Sequence, residues 1–217
     1  MNENKRTKII LKILNRIYPR TPIPLKHRNK FTLLISVLLS AQTTDVNVNN
    51  VTKSIYLKYN KPEHFVKLGR KKIEKLINRI GLFRVKAKSI YLLSKQLINK
   101  HDRKVPKTFE ELEKLPGVGH KTASVVMSQG FGFPAFPVDT HIHRLAQRWE
   151  LTTGKNVVQT EKDLKKLFPK KLWNKLHLQI IYYGREYCRA RECYGLTCKI
   201  CTTCYPNRKS PIITKKA

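Results

Sequence analysis

Acidic side chains are scarce in this chain. Only 14 of its 217 residues are Asp or Glu, whereas 45 are Lys or Arg, and the formal net charge at pH 7 is +31. An excess of this size favours a polyanionic partner and makes binding to that partner depend on salt. A lysine-rich coding bias accounts for part of the excess, but it does not remove the electrostatic consequence.

Long hydrophobic runs and an apolar N-terminal leader are also missing. The longest apolar run, at residues 31–39, is too short to span a bilayer. The chain begins MNENKR, which has no apolar signal core. We therefore expect a cytoplasmic protein with no membrane partner. Apolar residues still make up 41% of the chain, enough to bury the core of one large domain or two small ones.

The alternation of apolar and polar residues that marks half-buried strands is lacking as well. Apolar side chains recur instead at helical spacing. Three such stripes are Ile9, Ile10, Ile13, Leu14 and Ile17; Ile73, Leu76, Ile77 and Ile80; and Leu172, Leu176, Ile180 and Tyr183. Gly81 stands where a helix C′ glycine belongs, and Thr108 with Glu111 makes a capping box. The segment GFGFPAFP at 130–137 is the clearest linker. The pattern predicts an all-α chain with a break near residue 133.

Cysteine is absent from the first 187 residues, and all five cysteines fall between 188 and 204. In a chain without a secretory leader, this local crowding indicates a metal or cluster site rather than a disulfide framework. Four thiolates can hold an iron–sulfur cubane or a zinc ion.

The string LPGVGHKTA at 115–123 is the most informative motif. A glycine-rich turn between two helices exposes backbone N–H groups that can hold a phosphate. Gly117 and Gly119, on either side of Val118, allow the tight turn and the close approach of DNA. The motif therefore predicts binding to a nucleic-acid backbone.

Two side chains beside this turn can react. Lys121 falls in the first turn of the following helix, a poor position for a purely structural cation. Asp139 comes one helix later and can cap the helix that begins there. An amine nucleophile and a carboxylate next to a phosphate clamp are suited to chemistry on a DNA sugar.

Four blocks of the sequence together resemble the endonuclease III branch of the helix-hairpin-helix DNA glycosylases. They are LLSAQTTD at 38–45, IGLF with a following Lys-Ala at 80–87, the hairpin with its lysine and aspartate, and the cysteine loop at 188–204. The resemblance implies an all-α fold with two helical domains flanking a DNA-binding cleft. Residues 22–133 would form a helical barrel domain with the hairpin. Residues 1–21 and 134–217 would form a discontinuous domain with a C-terminal iron–sulfur loop.

The same resemblance implies a bifunctional DNA glycosylase and AP lyase of base excision repair. Lys121 would attack the sugar and form a Schiff base, and Asp139 would stabilise the positive charge that develops as the base leaves. Gln42 and Leu82 would fill the gap left by the displaced nucleotide. The substrates would be oxidised pyrimidines and abasic sites in double-stranded DNA, handled by a monomer associated with the nucleoid.

The cysteine loop departs from the family spacing, C-x6-C-x2-C-x5-C. The outer span is kept, but Gly195 stands at the second ligand position, so the fourth thiolate must come from Cys193 or Cys201. Cys201 restores a C-x2-C pair with Cys198. We therefore expect a [4Fe–4S] cluster, with structural zinc as the alternative, on four ligands: Cys188, Cys198, Cys201 and Cys204.

Two other functions fit parts of the pattern. An adenine-mismatch glycosylase of the same fold usually lacks the lysine and carries an extra C-terminal domain. A non-catalytic helix-hairpin-helix DNA-binding module needs neither Lys121 nor Asp139.

Overall fold

The expected all-α class is confirmed by the computed structural model, which describes residues 1–217 and contains no strand. Eleven α-helices follow one another: α1 Glu3–Ile17, α2 Lys30–Ser40, α3 Asp45–Lys58, α4 Pro62–Leu76, α5 Phe83–Lys100, α6 Phe109–Glu113, α7 His120–Val125, α8 Thr140–Arg148, α9 Val157–Leu167, α10 Trp173–Glu186 and α11 Lys199–Cys204. None of them has both the length and the apolar composition that a membrane crossing requires.

The helices fall into two compact units. One, which we call the hairpin unit, is Ile23–Phe133; the other, the cysteine unit, combines Met1–Pro22 with Pro134–Ala217. The chain passes from one unit to the other in the GFGFPAFP segment, whose prolines and glycines interrupt the helical pattern.

The hairpin unit is organised around α2, which is buried along nearly its whole length. Asn29 starts this helix with a capping box, in which its side chain accepts from the Thr32 N–H at 2.9 Å. The apolar faces of the other helices surround α2, and their fully buried side chains include Ile73, Ile90, Leu93, Leu97 and Leu112. Burial of this apolar face supplies the main stabilisation of the unit.

The cysteine unit brings the two ends of the chain together. Helix α1 packs on α10 and α11, and its predicted stripe is confirmed, with Ile10 and Leu14 fully buried. The predicted late helix corresponds to α10, where Leu176, Ile180 and Tyr183 face the same core. The N-terminal helix is therefore part of the support beneath the cysteine loop.

One helix end differs from the expectation. The stripe that includes Ile80 predicted a helix reaching Gly81, but α4 ends at Leu76. A turn then follows, closed by the Ile80 N–H donating to the Ile77 carbonyl at 2.9 Å, and it keeps both isoleucines buried. The left-handed residue after this turn is Leu82, with φ 57°, and not the glycine.

Candidate active site and metal centre

The hairpin is formed by α6 and α7 with a turn between them. Thr108 begins α6 and accepts from the Glu111 N–H at 3.2 Å, as the capping pattern predicted. Within the turn, the Val118 N–H donates to the Leu115 carbonyl at 3.0 Å, and the Val118 side chain is buried. Val118 thus acts by shaping the turn, since its own N–H is already used inside it.

The two glycines of the hairpin turn, Gly117 and Gly119, are required for different structural reasons. Gly117 has φ 80°, and a Cβ atom there would lie 2.7 Å from the Ser89 Cβ on α5. It is therefore glycine because the left-handed turn and the packing on α5 both demand it. Gly119 has an ordinary φ of −96°, and a Cβ atom there would meet nothing within 4 Å. Only Gly119 opens onto free space, as the approach of a phosphate requires.

Lys121 lies in the first turn of α7, as expected, and it is exposed. The same helix is anchored by its buried residues Ala123 and Ser124. Helix α7 then continues into a π-helical turn at Val126–Gly130, which is packed against α2. The helix is thus held firmly while the amine is presented to solvent.

Asp139 is the N-cap of α8 in the cysteine unit. Its Oδ1 accepts from the Ile142 N–H at 2.8 Å, so the expected capping role is real and uses one carboxylate oxygen. The preceding Phe136 is fully buried, and the Ala135 N–H donates to Asn174 Oδ1 at 3.0 Å. The carboxylate therefore sits on a fixed segment of backbone and is itself only partly buried.

Gln42 and Leu82 lie on adjacent loops of the hairpin unit. Both are exposed, and both have left-handed backbones, with φ 54° and 57°. This conformation is uncommon for residues other than glycine and marks a constrained tip. The two loops meet at Gly81, where a Cβ atom would lie 3.5 Å from the Gln42 carbonyl oxygen. The structure thus brings together two residues that are 40 positions apart.

A buried lysine holds these loops in place. Lys86, only 5% exposed, donates from Nζ to the carbonyls of Leu39 at 2.9 Å and Ala41 at 2.6 Å, and to Thr43 Oγ1 at 3.4 Å. The ammonium group satisfies carbonyl oxygens at the C-terminal end of α2, and its charge is favourable at the negative end of the helix dipole. Burial lowers the pKa of Lys86. The family resemblance included Lys86 with Ala87 in one of its blocks, but it assigned the lysine no role.

We expect Lys86→Met to destabilise the hairpin unit by about 1–3 kcal/mol, because it leaves buried carbonyls unsatisfied. The same change should weaken DNA binding through disorder of the Gln42 loop. Chemical denaturation and a binding titration measure the two effects. Lys88→Met, on the exposed side of α5, is the matched control and should change stability little. Equal stability of the two variants would show that Lys86 does not anchor the loop.

The cysteines that the structure groups as a possible metal site differ from the expected set of ligands. The Sγ atoms of Cys188, Cys193, Cys198 and Cys201 all lie within 4.8 Å of one another, and all four residues are buried. Cys204, which we expected to be a ligand, lies outside this group, and Cys193 takes its place. A tight turn makes this possible: Tyr194 and Gly195 have left-handed φ values of 47° and 86°.

Helix geometry explains the exclusion of Cys204. Cys198 is the N-cap of α11 and Cys201 lies in its first turn, so both thiols meet at the start of the helix. Cys204 is the last residue of the same helix and lies one turn farther along its axis. It is buried in the core of the unit, beside the helix end that leads to Tyr205. The grouping of Cys198 with Cys201 was expected from their C-x2-C spacing. The course of α11 after Cys201, which carries Cys204 away from the group, was not expected.

Arg148 supports the cysteine group from α8. It is only 2% exposed, and its guanidinium donates to Cys188 Sγ at 3.4 Å, to the Arg189 carbonyl at 2.7 Å and to the Ala190 carbonyl at 2.8 Å. A buried cation in this position compensates thiolate charge and holds the loop backbone. No sequence pattern singles out Arg148 among the 45 basic residues.

Comparison with known proteins agrees with this geometry. A family described as "HhH-GPD superfamily base excision DNA repair protein" matches residues 35–170. Endonuclease III of Bacillus subtilis is 39% identical over 206 residues, covering 94% of each chain. Endonuclease III of Escherichia coli K12 is 42% identical over 195 residues, covering 88% of this chain and 90% of its own.

Solved structures give the same result. A trapped endonuclease III–DNA covalent intermediate superposes with a TM-score of 0.87 at 40% identity, covering 92% of this chain and 94% of the other. A thermostable thymine-DNA glycosylase, at 24% identity and a TM-score of 0.79, shares the fold. The family resemblance is thereby confirmed. The chain belongs to the endonuclease III family of helix-hairpin-helix DNA glycosylases, which join DNA glycosylase and AP lyase activity in one protein.

Proposed function

We propose that Lys121 is the nucleophile and Asp139 the assisting carboxylate of a bifunctional DNA glycosylase and AP lyase. The observation that carries the proposal is the exposed amine of Lys121, in the first turn after a hairpin whose Gly119 opens onto free space. A phosphate held at this turn would place the sugar of the same nucleotide chain near the amine. A relative solved as a trapped covalent intermediate with DNA supports a covalent reaction of this kind.

The reaction begins at the sugar C1′. The Lys121 amine attacks C1′, the glycosidic C–N bond breaks, and the base leaves with the bonding electrons and takes a proton from water. Positive charge develops at C1′ as this bond breaks. The Asp139 carboxylate stabilises that charge and accepts a proton from the attacking amine.

The lyase step follows from the covalent intermediate. Opening of the sugar ring gives a Schiff base between Lys121 and C1′, which acidifies the C2′ hydrogen. Loss of that proton to a base is accompanied by breakage of the C3′–O bond, so the strand is cut on the 3′ side. Water then hydrolyses the Schiff base and frees the lysine.

DNA is held by contacts on the hairpin unit. Gly117, Val118 and Gly119 form the turn against a backbone phosphate, with Gly119 at the point of approach. Gln42 presents an amide to the base left without its partner, and Leu82, 58% exposed, is an apolar wedge for the gap. The basic surface adds affinity that depends on salt.

The substrate class we propose is the oxidised pyrimidine, together with the abasic site, in double-stranded DNA. Duplexes that each carry one lesion test this: a ring-saturated thymine, an oxidised purine, or an adenine mismatch. We expect base release and strand cleavage at the first, and at least about tenfold slower reaction at the other two. Preferential removal of mismatched adenine would favour the adenine-mismatch alternative, and binding without any cleavage would favour a non-catalytic module.

The cysteine unit carries a metal centre on four thiolates. Membership of the family implies a [4Fe–4S] cluster there, and a zinc ion is the alternative that four cysteines also accommodate.

A further inference from the structure

We infer that Cys188, Cys193, Cys198 and Cys201 bind a single tetrahedral zinc ion in place of the [4Fe–4S] cluster that the family implies. The inference concerns the metal centre alone and does not depend on the chemistry proposed for Lys121.

The four sulfur atoms lie closer together than the ligands of a cubane do. All four Sγ atoms lie within 4.8 Å of one another, and those of Cys193 and Cys201 are 4.0 Å apart. A tetrahedral zinc ion with bonds of about 2.3 Å sets its thiolates about 3.8 Å apart. A cubane places four irons and four sulfides between its thiolates, so its ligands lie on the outside of a much larger body. The thiols are therefore grouped for one ion and are too close together for a cubane.

The loop that carries the ligands is closed by its own backbone. The Cys198 N–H donates to Cys193 Sγ at 3.4 Å, and the Leu196 N–H donates to the Cys193 carbonyl at 2.8 Å. An N–H directed at a sulfur stabilises the thiolate form that a metal ion requires. These bonds tie the Cys193 turn to the start of α11, so the short distance between the two segments is a fixed feature of the loop.

The side chains packed around the four thiols leave little room for a group larger than one ion. Cys188 and Cys201 have no exposed surface, and neither has Ile200 between the ligands on α11. The Ile200 N–H donates to the Tyr183 hydroxyl at 3.0 Å, which fixes that helix against α10. A cubane would have to push these packed side chains apart, and displacement of close-packed core residues is costly.

Basic side chains compensate the negative charge of the site. Four thiolates and Zn²⁺ carry a net charge of −2, the same as four thiolates around a [4Fe–4S]²⁺ core, so charge does not separate the two groups. Two guanidinium groups on α8 face the loop: buried Arg148 contacts Cys188 Sγ at 3.4 Å, and partly buried Arg144 donates to the Cys188 carbonyl at 3.1 Å. Tetrahedral, fully buried sites with four cysteine ligands are typical of structural zinc.

The test is the metal content of the full-length protein, purified without oxygen from cells supplied with both iron and zinc. We expect about one zinc per chain, no acid-labile sulfide and a colourless solution, as for a Cys₄ zinc site. Brown protein with iron and sulfide in equal amounts would overturn the inference, and so would iron without sulfide. Replacement of zinc by Co²⁺ should give the intense visible bands of a tetrahedral thiolate site, and their absence would also count against it.

The ligand set has a matched pair of variants. Cys193→Ser should lose the zinc, whereas Cys204→Ser, at a buried cysteine outside the group, should keep it. If Cys193→Ser does not fold, Cys193→His supplies another zinc ligand and should retain about one zinc per chain. Metal loss in Cys204→Ser but not in Cys193→Ser would show that the family register had been kept and would overturn the assignment.

Discussion

Lys121→Arg is expected to abolish strand cleavage at abasic sites and leave DNA binding nearly intact. The guanidinium keeps the positive charge beside the hairpin, but it stays protonated and cannot attack carbon. Loss of a covalent nucleophile typically costs roughly three orders of magnitude or more in rate. The turn at Gly119 is untouched, so the phosphate contact persists. Single-turnover cleavage and a binding titration on the same duplex measure the two effects separately.

Lys72→Arg makes the same exchange on the exposed face of α4 and should behave like the unmodified protein. If Lys121→Arg cleaved at an undiminished rate, another amine would be the nucleophile. If it lost binding as severely as cleavage, Lys121 would be a phosphate contact and no more.

Asp139→Asn is the second change with a large expected effect. Asparagine caps a helix as well as aspartate does, so the bond to the Ile142 N–H is kept and only the charge is lost. Loss of a charge that stabilises the transition state should slow base excision about 100-fold or more. The midpoint of chemical denaturation should change little.

Two further variants separate charge from capping. Asp139→Ala should slow excision to the same extent and also cost about 1 kcal/mol of stability, because the cap is removed. Asp102→Asn, at an exposed residue of the hairpin unit, controls for the loss of one negative charge and should leave the rate unchanged. A stable Asp139→Asn protein with the full excision rate would limit the residue to its structural role.

Local patterns predicted the helices well, because helical burial repeats along the sequence at a fixed spacing. The stripe around Ile10 and Leu14 became α1, and Thr108 capped α6 where its spacing to Glu111 placed it. The end of α4 was misjudged, because glycine at a helix end is only a statistical preference. Here the packing of Ile77 and Ile80 required a turn before Gly81, and Leu82 took the left-handed position instead.

Contacts between distant segments of the chain could not be predicted from these local patterns. The hydrogen bonds of Lys86 to the Gln42 loop join segments more than 40 residues apart. The sequence block at 80–87 included this lysine but did not indicate those partners. The choice between Cys193 and Cys204 depended on the direction of α11 after Cys198, which spacing alone does not fix. The pair proposed to react, Lys121 and Asp139, was indicated by motif. The structure adds that Lys121 is exposed and that Asp139 caps α8.

We propose that this protein forms a Schiff base with DNA through Lys121. The decisive experiment is incubation of the protein with an abasic-site duplex in the presence of borohydride, because reduction converts an imine into a stable covalent bond. We predict a covalent protein–DNA product whose linkage maps to Lys121 and which Lys121→Arg does not form. Cleavage of the duplex with no covalent product, or a linkage that maps to a different residue, would contradict the claim.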